Sequence, residues 1–174
     1  MSLYHDSVVP MSRTLRALSS WLDKAAAFAE ARQASPDIFI GARLHADMRP
    51  FEFQIQSACD SAKFAAARLA GVDAPSHPDT EKTLAELKAR IASTLEFIDG
   101  LQEGAFEGAE ARPVRLAFLP GKWIRGDDYV RELGLPNFYF HATTTYAILR
   151  QAGVQVGKRD FIAHLTLHDD PAAS

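Results

Sequence analysis

One histidine in the last third of the sequence has neighbours that make chemistry possible. His141 lies in the run PNFYFHATTTYAILR, among aromatic residues and three threonines, and Thr145 follows it four positions later. Residues at this spacing face the same side of a helix. Two histidines so placed would offer half of a zinc or nickel site, whereas a neutral threonine hydroxyl is a poor ligand. His141 is therefore a metal ligand, a catalytic base or a hydrogen-bonded interior residue, and the spacing leaves all three open.

Polar residues also interrupt an alanine-rich segment earlier in the chain. Gln54 lies near the apolar stripe of that segment, and a buried amide needs hydrogen-bonding partners, so either a polar network or a ligand is expected there. Gln56, Asp60 and Lys63 are expected to be solvated, with the last two forming a surface pair at i, i+3. Cys59 is predicted to be a small buried side chain without a reactive role.

Four other histidines are weaker candidates. His164 and His168 have the i, i+4 spacing of a metal pair, but they lie close to the end of the sequence. His45 and Asp47 precede the second helix, where packing or loop capping is the default and pocket lining is the alternative. His77 is predicted to lie in an exposed loop.

Composition excludes several classes of partner. The 174 residues include 19 basic and 22 acidic side chains, so no basic excess is present to bind a nucleic acid backbone. No apolar run approaches the roughly 18 residues that a membrane helix needs. The single cysteine and the lack of a signal-peptide pattern lead us to expect a cytoplasmic protein. The length fits one domain spanning residues 1–174.

Apolar periodicity predicts four long helices. The first should carry a buried stripe and end near Gln33, and the second should run from Pro50 to Gly71, with proline at its first turn and glycine after its end. Asp79 or Thr80 is predicted to cap the third. The stripe positions of these three helices are Val8, Met11, Leu15, Leu18, Leu22, Ala25 and Ala29; then Phe51, Ile55, Ala58, Ala62, Ala65 and Leu69; then Leu84, Leu87, Ile91, Leu95, Ile98 and Leu101.

The connection before the fourth long helix has a different pattern. Alternating apolar residues from Val114 to Phe118, followed by Pro120-Gly121, predict a small hairpin. A short helix should follow, and Asn137 is predicted to cap the fourth long helix. The predicted fold is therefore all-α: a four-helix bundle with a hairpin-containing insertion between the third and fourth long helices.

Three stretches carry a family resemblance: RLHADMRPFEFQIQSACDSAKFAAARLAG, LPNFYFHATTTYAILRQAGV and VGKRDFI. Together they resemble a bacterial and fungal family of unknown function within the DinB-like and YfiT-like helical bundles. This resemblance implies a DinB-type four-helix bundle and a homodimer formed through helix faces. It also implies kinship with metal-dependent enzymes that act with low-molecular-weight thiols, as transferases or isomerases.

In that superfamily a histidine of the second helix and a late His-x-x-x-His pair hold a divalent metal. By the resemblance, His141 matches the first histidine of the pair and Thr145 stands in place of the second. Gln54 or Gln56 is the nearest residue to the position of the second-helix histidine. Two of three ligands are thus missing, so we expect a degenerate metal site and no cofactor.

The favoured hypothesis is a dimeric bundle that binds a small organic molecule. Its candidate pocket residues are His141, Thr145, Gln54, His45 and Tyr146. A second hypothesis is an enzyme of the thiol-linked transferase or isomerase type. That enzyme would use His141 as a general base without a metal, or zinc or nickel held by a rebuilt set, either His141, His45 and Asp47 or His164 and His168. A third is a purely structural dimer.

Overall fold

The computed structural model describes residues 2–170, and four long helices form its framework. These are α1 (Val9–Glu30), α2 (Phe51–Ala70), α3 (Leu84–Asp99) and α5 (Leu135–Gln151). Two short helices, α4 (Gly126–Tyr129) and α6 (Lys158–Phe161), and two strands, β1 (Pro113–Val114) and β2 (Ile124–Arg125), complete the main elements. Single turns of π-helix (Tyr4–Val8, Val130–Gly134) and of 3-10 helix (Pro36–Phe39, Glu103–Phe106) join them. The predicted bundle with a hairpin before its last long helix is confirmed.

The core is built from the apolar stripes that periodicity indicates. On α1 the side chains of Met11, Leu15, Leu18 and Leu22 are fully buried, together with Trp21. The helix ends at Glu30, and its chain continues as a turn to residue 33, where the first helix was predicted to end. Burial of one stripe on each helix supplies the main stabilisation, at roughly 25 cal/mol per Å² of apolar surface.

Helix α2 is the central element, packing against α5 on one side and α3 on the other. Its predicted limits are confirmed: Pro50 is the extended residue before the first turn, and Gly71 follows the last. Gly71 adopts a left-handed conformation with φ of 72°, which a residue without Cβ accepts at little cost. Among the described residues, every helix is either too short or too polar to serve as a bilayer-spanning segment.

The start of α3 differs from the prediction. Thr83, rather than Asp79 or Thr80, is the N-cap residue: its hydroxyl accepts from the Glu86 amide, and the Glu86 carboxylate accepts from the Thr83 amide. This reciprocal capping satisfies two otherwise unpaired amides. Asp79 instead forms an ion pair with Arg90 further along α3, so the loop before the helix is held by a side chain that local sequence does not reveal.

The insertion between α3 and α5 is the predicted hairpin. β1 pairs antiparallel with β2, with Val114 opposite Ile124. After β2 the chain packs closely against the preceding connection, because a Cβ on Gly126 would collide with the carbonyl oxygen of Ala109. Helix α4 and a π-helical turn then lead directly into α5. The predicted cap at Asn137 is therefore wrong, since this residue lies inside α5.

Candidate functional site

A hydrogen bond between α5 and α2 fixes the orientation of His141. Its Nδ1 lies 2.8 Å from the side-chain oxygen of Gln54, while the Gln54 amide nitrogen donates to the carbonyl of Arg49 at 2.9 Å. Because the amide nitrogen is committed to a carbonyl, the amide oxygen must accept from the imidazole. Nδ1 therefore carries the proton, and Nε2 presents a lone pair.

The surroundings of His141 favour the neutral imidazole. The rings of Phe53 and Phe140 meet it edge to face, with centroids 6.0 and 5.2 Å away. Burial among these groups lowers the pKa of His141 below its ordinary value. At neutral pH the side chain is thus an uncharged hydrogen-bond acceptor at Nε2, for which the described part of the chain offers no partner.

His141 is part of the wall of a pocket of about 300 Å³ between α2, the start of α5 and the hairpin. The α2 side contributes residues spaced three or four apart, as expected for one helical face. The complete lining is Ser57, Asp60, Ser61, Phe64, Arg68, Leu116, Phe118, Tyr129, Leu133, Gly134, Asn137 and His141. Aromatic and aliphatic groups thus face a row of polar groups, which is the usual composition of a small-molecule site.

A short relay of hydrogen bonds organises the middle of the pocket. Asn137 donates its side-chain amide to the hydroxyl of Ser61 at 2.7 Å, and this hydroxyl donates to the backbone carbonyl of Ser57 at 2.6 Å. The relay uses the nitrogen of Asn137, so its side-chain oxygen is left as an acceptor. Asn137 therefore joins α5 to α2 instead of capping its own helix.

The carboxylate of Asp60 connects the pocket to a charged interior cluster. One oxygen, Oδ1, lies 2.8 Å from Arg90 and 2.9 Å from Lys63. Arg90 also contacts Asp79 and Glu81, each at 3.0 Å. This ion cluster (Asp60, Lys63, Asp79, Glu81 and Arg90) fastens the loop before α3 to both neighbouring helices.

The ion cluster corrects the prediction of a solvated face on α2. Lys63 is 1% exposed and Gln56 is 6% exposed. Gln56 donates to Glu81 at 2.9 Å, so it is part of the interior network. His77 was also expected to be exposed; it is partly buried, with Nδ1 3.4 Å from Lys63 Nζ and Nε2 3.0 Å from the Ser93 hydroxyl. Asp60 of α2 and Glu81 of the loop before α3 supply the carboxylates that make the burial of Lys63 and Gln56 possible.

Arg68 and Tyr129 form the other end of the pocket. The guanidinium of Arg68 donates to the Tyr129 hydroxyl at 3.0 Å. It also lies over the rings of Phe64 and Tyr129, with centroid distances of 5.1 and 5.6 Å. These contacts hold the cation near the surface of the hairpin, away from the end where His141 meets Gln54.

Two other predicted pocket residues point elsewhere. Thr145 is fully buried, and its hydroxyl donates to the carbonyl of His141 in the same helix at 2.9 Å. Tyr146 packs edge to face against Trp21 and Phe161, on the side of α5 that faces α1 and α6. Neither residue lines the pocket that contains His141.

The remaining histidine candidates lie outside the pocket. His45 pairs with Asp47 at 2.6 Å, and its side chain is 72% exposed. His164 and His168 are exposed beyond α6, and His164 borders a separate cavity of about 250 Å³ near Tyr139.

The donor groups around His141 do not suit a metal ion. Within residues 2–170, no three His, Cys, Asp or Glu side chains are grouped to hold one. The residues that the family resemblance suggested in place of metal-binding histidines are already engaged: Thr145 with a backbone carbonyl, Gln54 with His141 and Arg49, and the alternative Gln56 with Glu81. A site with a single imidazole lacks the three or four ligands that zinc requires. Whether the protein uses a cofactor stays a prediction.

Several residues of the pocket were not predicted from the sequence to line it. Ser57, Ser61, Phe64 and Arg68 follow one another at spacings of four, three and four, which places them along one face of α2. Once Gln54 is known to face α5, this spacing predicts that the same four residues also face α5. The contributions of Leu116 and Leu133, by contrast, depend on how the insertion folds back onto the bundle, and local pattern does not give this.

Comparisons with known proteins identify the family. Residues 3–162 match the model of a domain of unknown function, DUF1993. The chain belongs to this family. A crystal structure of a DinB family member from Shewanella denitrificans is 41% identical, with a TM-score of 0.92 over 97% of this chain and 96% of that one. The expected DinB-type bundle is confirmed. No curated protein shows significant sequence similarity to the chain.

Proposed function

We propose that this DUF1993 protein binds a small organic molecule in the pocket between α2, α5 and the hairpin. One observation carries the proposal: His141 is fixed through Nδ1 by a buried amide, which leaves Nε2 as an acceptor in a pocket wall. Because the Gln54 amide already holds the imidazole in one tautomer and one orientation, the entropy cost of ordering this side chain is met before a ligand binds. A ligand that fits this orientation therefore binds without that cost.

The composition of the pocket supports the same function. Apolar surface from Phe64, Phe118 and the two lining leucines can cover the body of a ligand, while His141 and Asn137 can orient its polar end. The volume of about 300 Å³ lies at the lower end of the usual range for small-molecule sites. The expected ligand is therefore compact.

A thermal-shift screen of small organic compounds tests the proposal. Compounds that occupy the pocket should raise the unfolding temperature of the wild type and of His168→Ala by the same amount, because His168 is exposed outside the pocket. They should raise that of His141→Ala much less, because the orienting acceptor is gone. Equal stabilisation of all three proteins would count against a pocket organised by His141.

Homodimer formation is a second part of the proposal. Exposed aromatic side chains flank the pocket, with Phe118 68% exposed on the hairpin and Phe140 56% exposed on α5. Exposed apolar groups of this size often mark a protein interface. Sedimentation velocity should give a dimer for the wild type and a monomer for Phe140→Glu; a monomeric wild type would contradict this part.

An enzymatic role is the alternative that the geometry of His141 favours most. A neutral imidazole with its Nδ1–H held by an amide can accept a proton at Nε2, which is the arrangement of a general base. The two functions separate once a stabilising compound is known. Recovery of that compound unchanged after long incubation indicates a binding protein, whereas a new species that His141→Ala does not form indicates an enzyme.

A further inference from the structure

Three side chains at the Asp60 end of the pocket each keep one unpaired hydrogen-bond acceptor. His141 donates from Nδ1, which leaves Nε2 as an acceptor. Asn137 donates its amide nitrogen to Ser61, which leaves the side-chain oxygen. Asp60 directs Oδ1 to Arg90 and Lys63, and its Oδ2 makes no hydrogen bond within residues 2–170.

The charge at this end of the pocket is also negative. The ion cluster behind it contains two cations, Lys63 and Arg90, and three carboxylates, Asp60, Asp79 and Glu81, which leave one net negative charge. The cations are buried, whereas the side chain of Asp60 is 30% exposed. The carboxylate is thus the charged group of the cluster that the pocket presents.

The guanidinium of Arg68, at the other end of the pocket, lies too far away to neutralise the negative charge of Asp60. Arg68 follows Asp60 by eight residues on α2, which corresponds to about 12 Å along a helix. Its guanidinium is also engaged with the Tyr129 hydroxyl and lies over the Phe64 ring. The pocket therefore has an acceptor end, an apolar middle and a donor end.

From this arrangement we infer that the ligand is a primary amine with a compact apolar body, bound as its ammonium ion. An ammonium group has three donors and no acceptor, which matches Asp60 Oδ2, Asn137 Oδ1 and His141 Nε2. The hydrogen bonds to a carboxylate are charge-assisted and therefore strong. An aromatic or alkyl body fits the surface of Phe64 and Phe118.

This inference rests on the proposed function, and a charge series of probes tests the two separately. Protonated 2-phenylethylamine, 2-phenylethanol and phenylacetate share one apolar body and differ in the polar end. Titrations at pH 7.5 followed by ¹⁵N–¹H NMR give each affinity for the wild-type protein. The ammonium ion should bind about tenfold more tightly than the alcohol, and phenylacetate should bind most weakly.

Two variants locate the preference within the pocket. Asp60→Asn should reduce the advantage of the amine over the alcohol from about tenfold to about twofold. Because Asp60 also neutralises buried cations, this variant is compared only if its NMR spectrum is that of a folded protein. Asn137→Leu is the second variant; it removes one acceptor at an exposed position and should weaken amine binding about threefold, with a smaller effect on the alcohol.

The outcomes distinguish the two claims. If none of the three probes binds, the inferred ligand class is refuted, and the thermal-shift screen alone decides whether the pocket binds another small molecule. If all three bind with similar affinity, the pocket remains and the amine is excluded. If phenylacetate binds best, the Arg68 end dominates recognition and the inference is overturned. A tenfold preference for the amine that both variants reduce is the result that supports it.

Discussion

Helix α2 has two polar faces, and they differ in the kind of pairing that their groups make. Toward α3, the ion cluster satisfies charge with charge, and Arg90 alone contacts three carboxylates. Toward α5, Gln54 orients His141, but the second ring nitrogen has no partner in residues 2–170. The polar groups on the α3 side form ion pairs that join two helices and a loop, whereas the α5 side keeps the acceptor Nε2 of His141, which the proposed function assigns to a ligand.

Asp60 belongs to both faces. Its Oδ1 completes the ion cluster, and its side chain also lines the pocket beside His141. A ligand that contacts Asp60 therefore contacts a carboxylate whose position is fixed by two buried cations. In the proposed function, this fixed position would lower the entropic cost of binding.

The largest expected effect comes from breaking the ion cluster. Arg90→Met should lower the free energy of unfolding by about 3–5 kcal/mol, because it leaves Glu81 and its neighbours without their buried cation. Urea unfolding followed by circular dichroism measures the change. Lys88→Met is the matched control on α3, since its ion pair with Asp23 is exposed and should contribute about 0–1 kcal/mol. Similar losses in the two variants would show that the cluster is not the stabilising region.

A smaller effect is expected on the α5 side. His141→Ala should lower the free energy of unfolding by about 1–3 kcal/mol, because the buried oxygen of Gln54 loses its donor. A double-mutant cycle with Gln54→Leu isolates the pair, with an expected coupling of about 0.5–3 kcal/mol. A coupling of zero would mean that the two side chains do not interact in solution.

The sequence predicted the helices of this fold well and the burial of its charged residues poorly. Apolar periodicity reports which face of one helix is covered, so α1 and the limits of α2 were correct. Lys63 was expected in solvent as half of an i, i+3 pair with Asp60; the pair forms, but Lys63 is buried, because Arg90 of α3 binds the same carboxylate and His77 of the loop before α3 lies beside the ammonium group. Long-range pairing of charges has no local signature.

The candidate site was only partly predictable, because local pattern shows which side chains face the interior but not which side chains they contact. The polarity of Gln54 on an apolar stripe and the aromatic surroundings of His141 suggested that both face the interior, and the structure brings them together. Thr145 and Tyr146 were grouped with them by proximity in sequence, but their side chains point to other neighbours. The contribution of the hairpin required the tertiary structure.

The pH dependence of the free energy of unfolding allows the two faces to be compared, because each has one histidine: His141 on the α5 side and His77 beside the ion cluster. Burial lowers the pKa of His141, and burial with nearby Lys63 and Arg90 lowers that of His77. The unfolded chain, with pKa values of about 6.5, binds more protons than the folded chain below that pH. The stabilisation from both histidines is therefore complete above about pH 6.5 and is lost as the pH falls through the folded-state values.

Urea unfolding between pH 7.5 and 5 measures this loss for the wild type, His141→Gln and His77→Gln. Each variant should flatten part of the decrease, since glutamine does not titrate. If His77→Gln removes the whole decrease, His141 does not titrate differently on folding, and its neutral form is not enforced by the protein.

The smallest effect is expected at Thr145, which follows His141 by one turn of α5. Thr145→Val should change the free energy of unfolding by no more than about 1 kcal/mol, because the His141 carbonyl that accepts from the hydroxyl still accepts from the backbone amide of the helix. Valine also preserves the shape of the buried side chain. Binding of 2-phenylethylamine, followed by the same NMR titration, should be unchanged. A loss of binding in this variant would place the threonine hydroxyl in contact with the ligand and would extend the site beyond His141 and Gln54, toward the interior of the bundle.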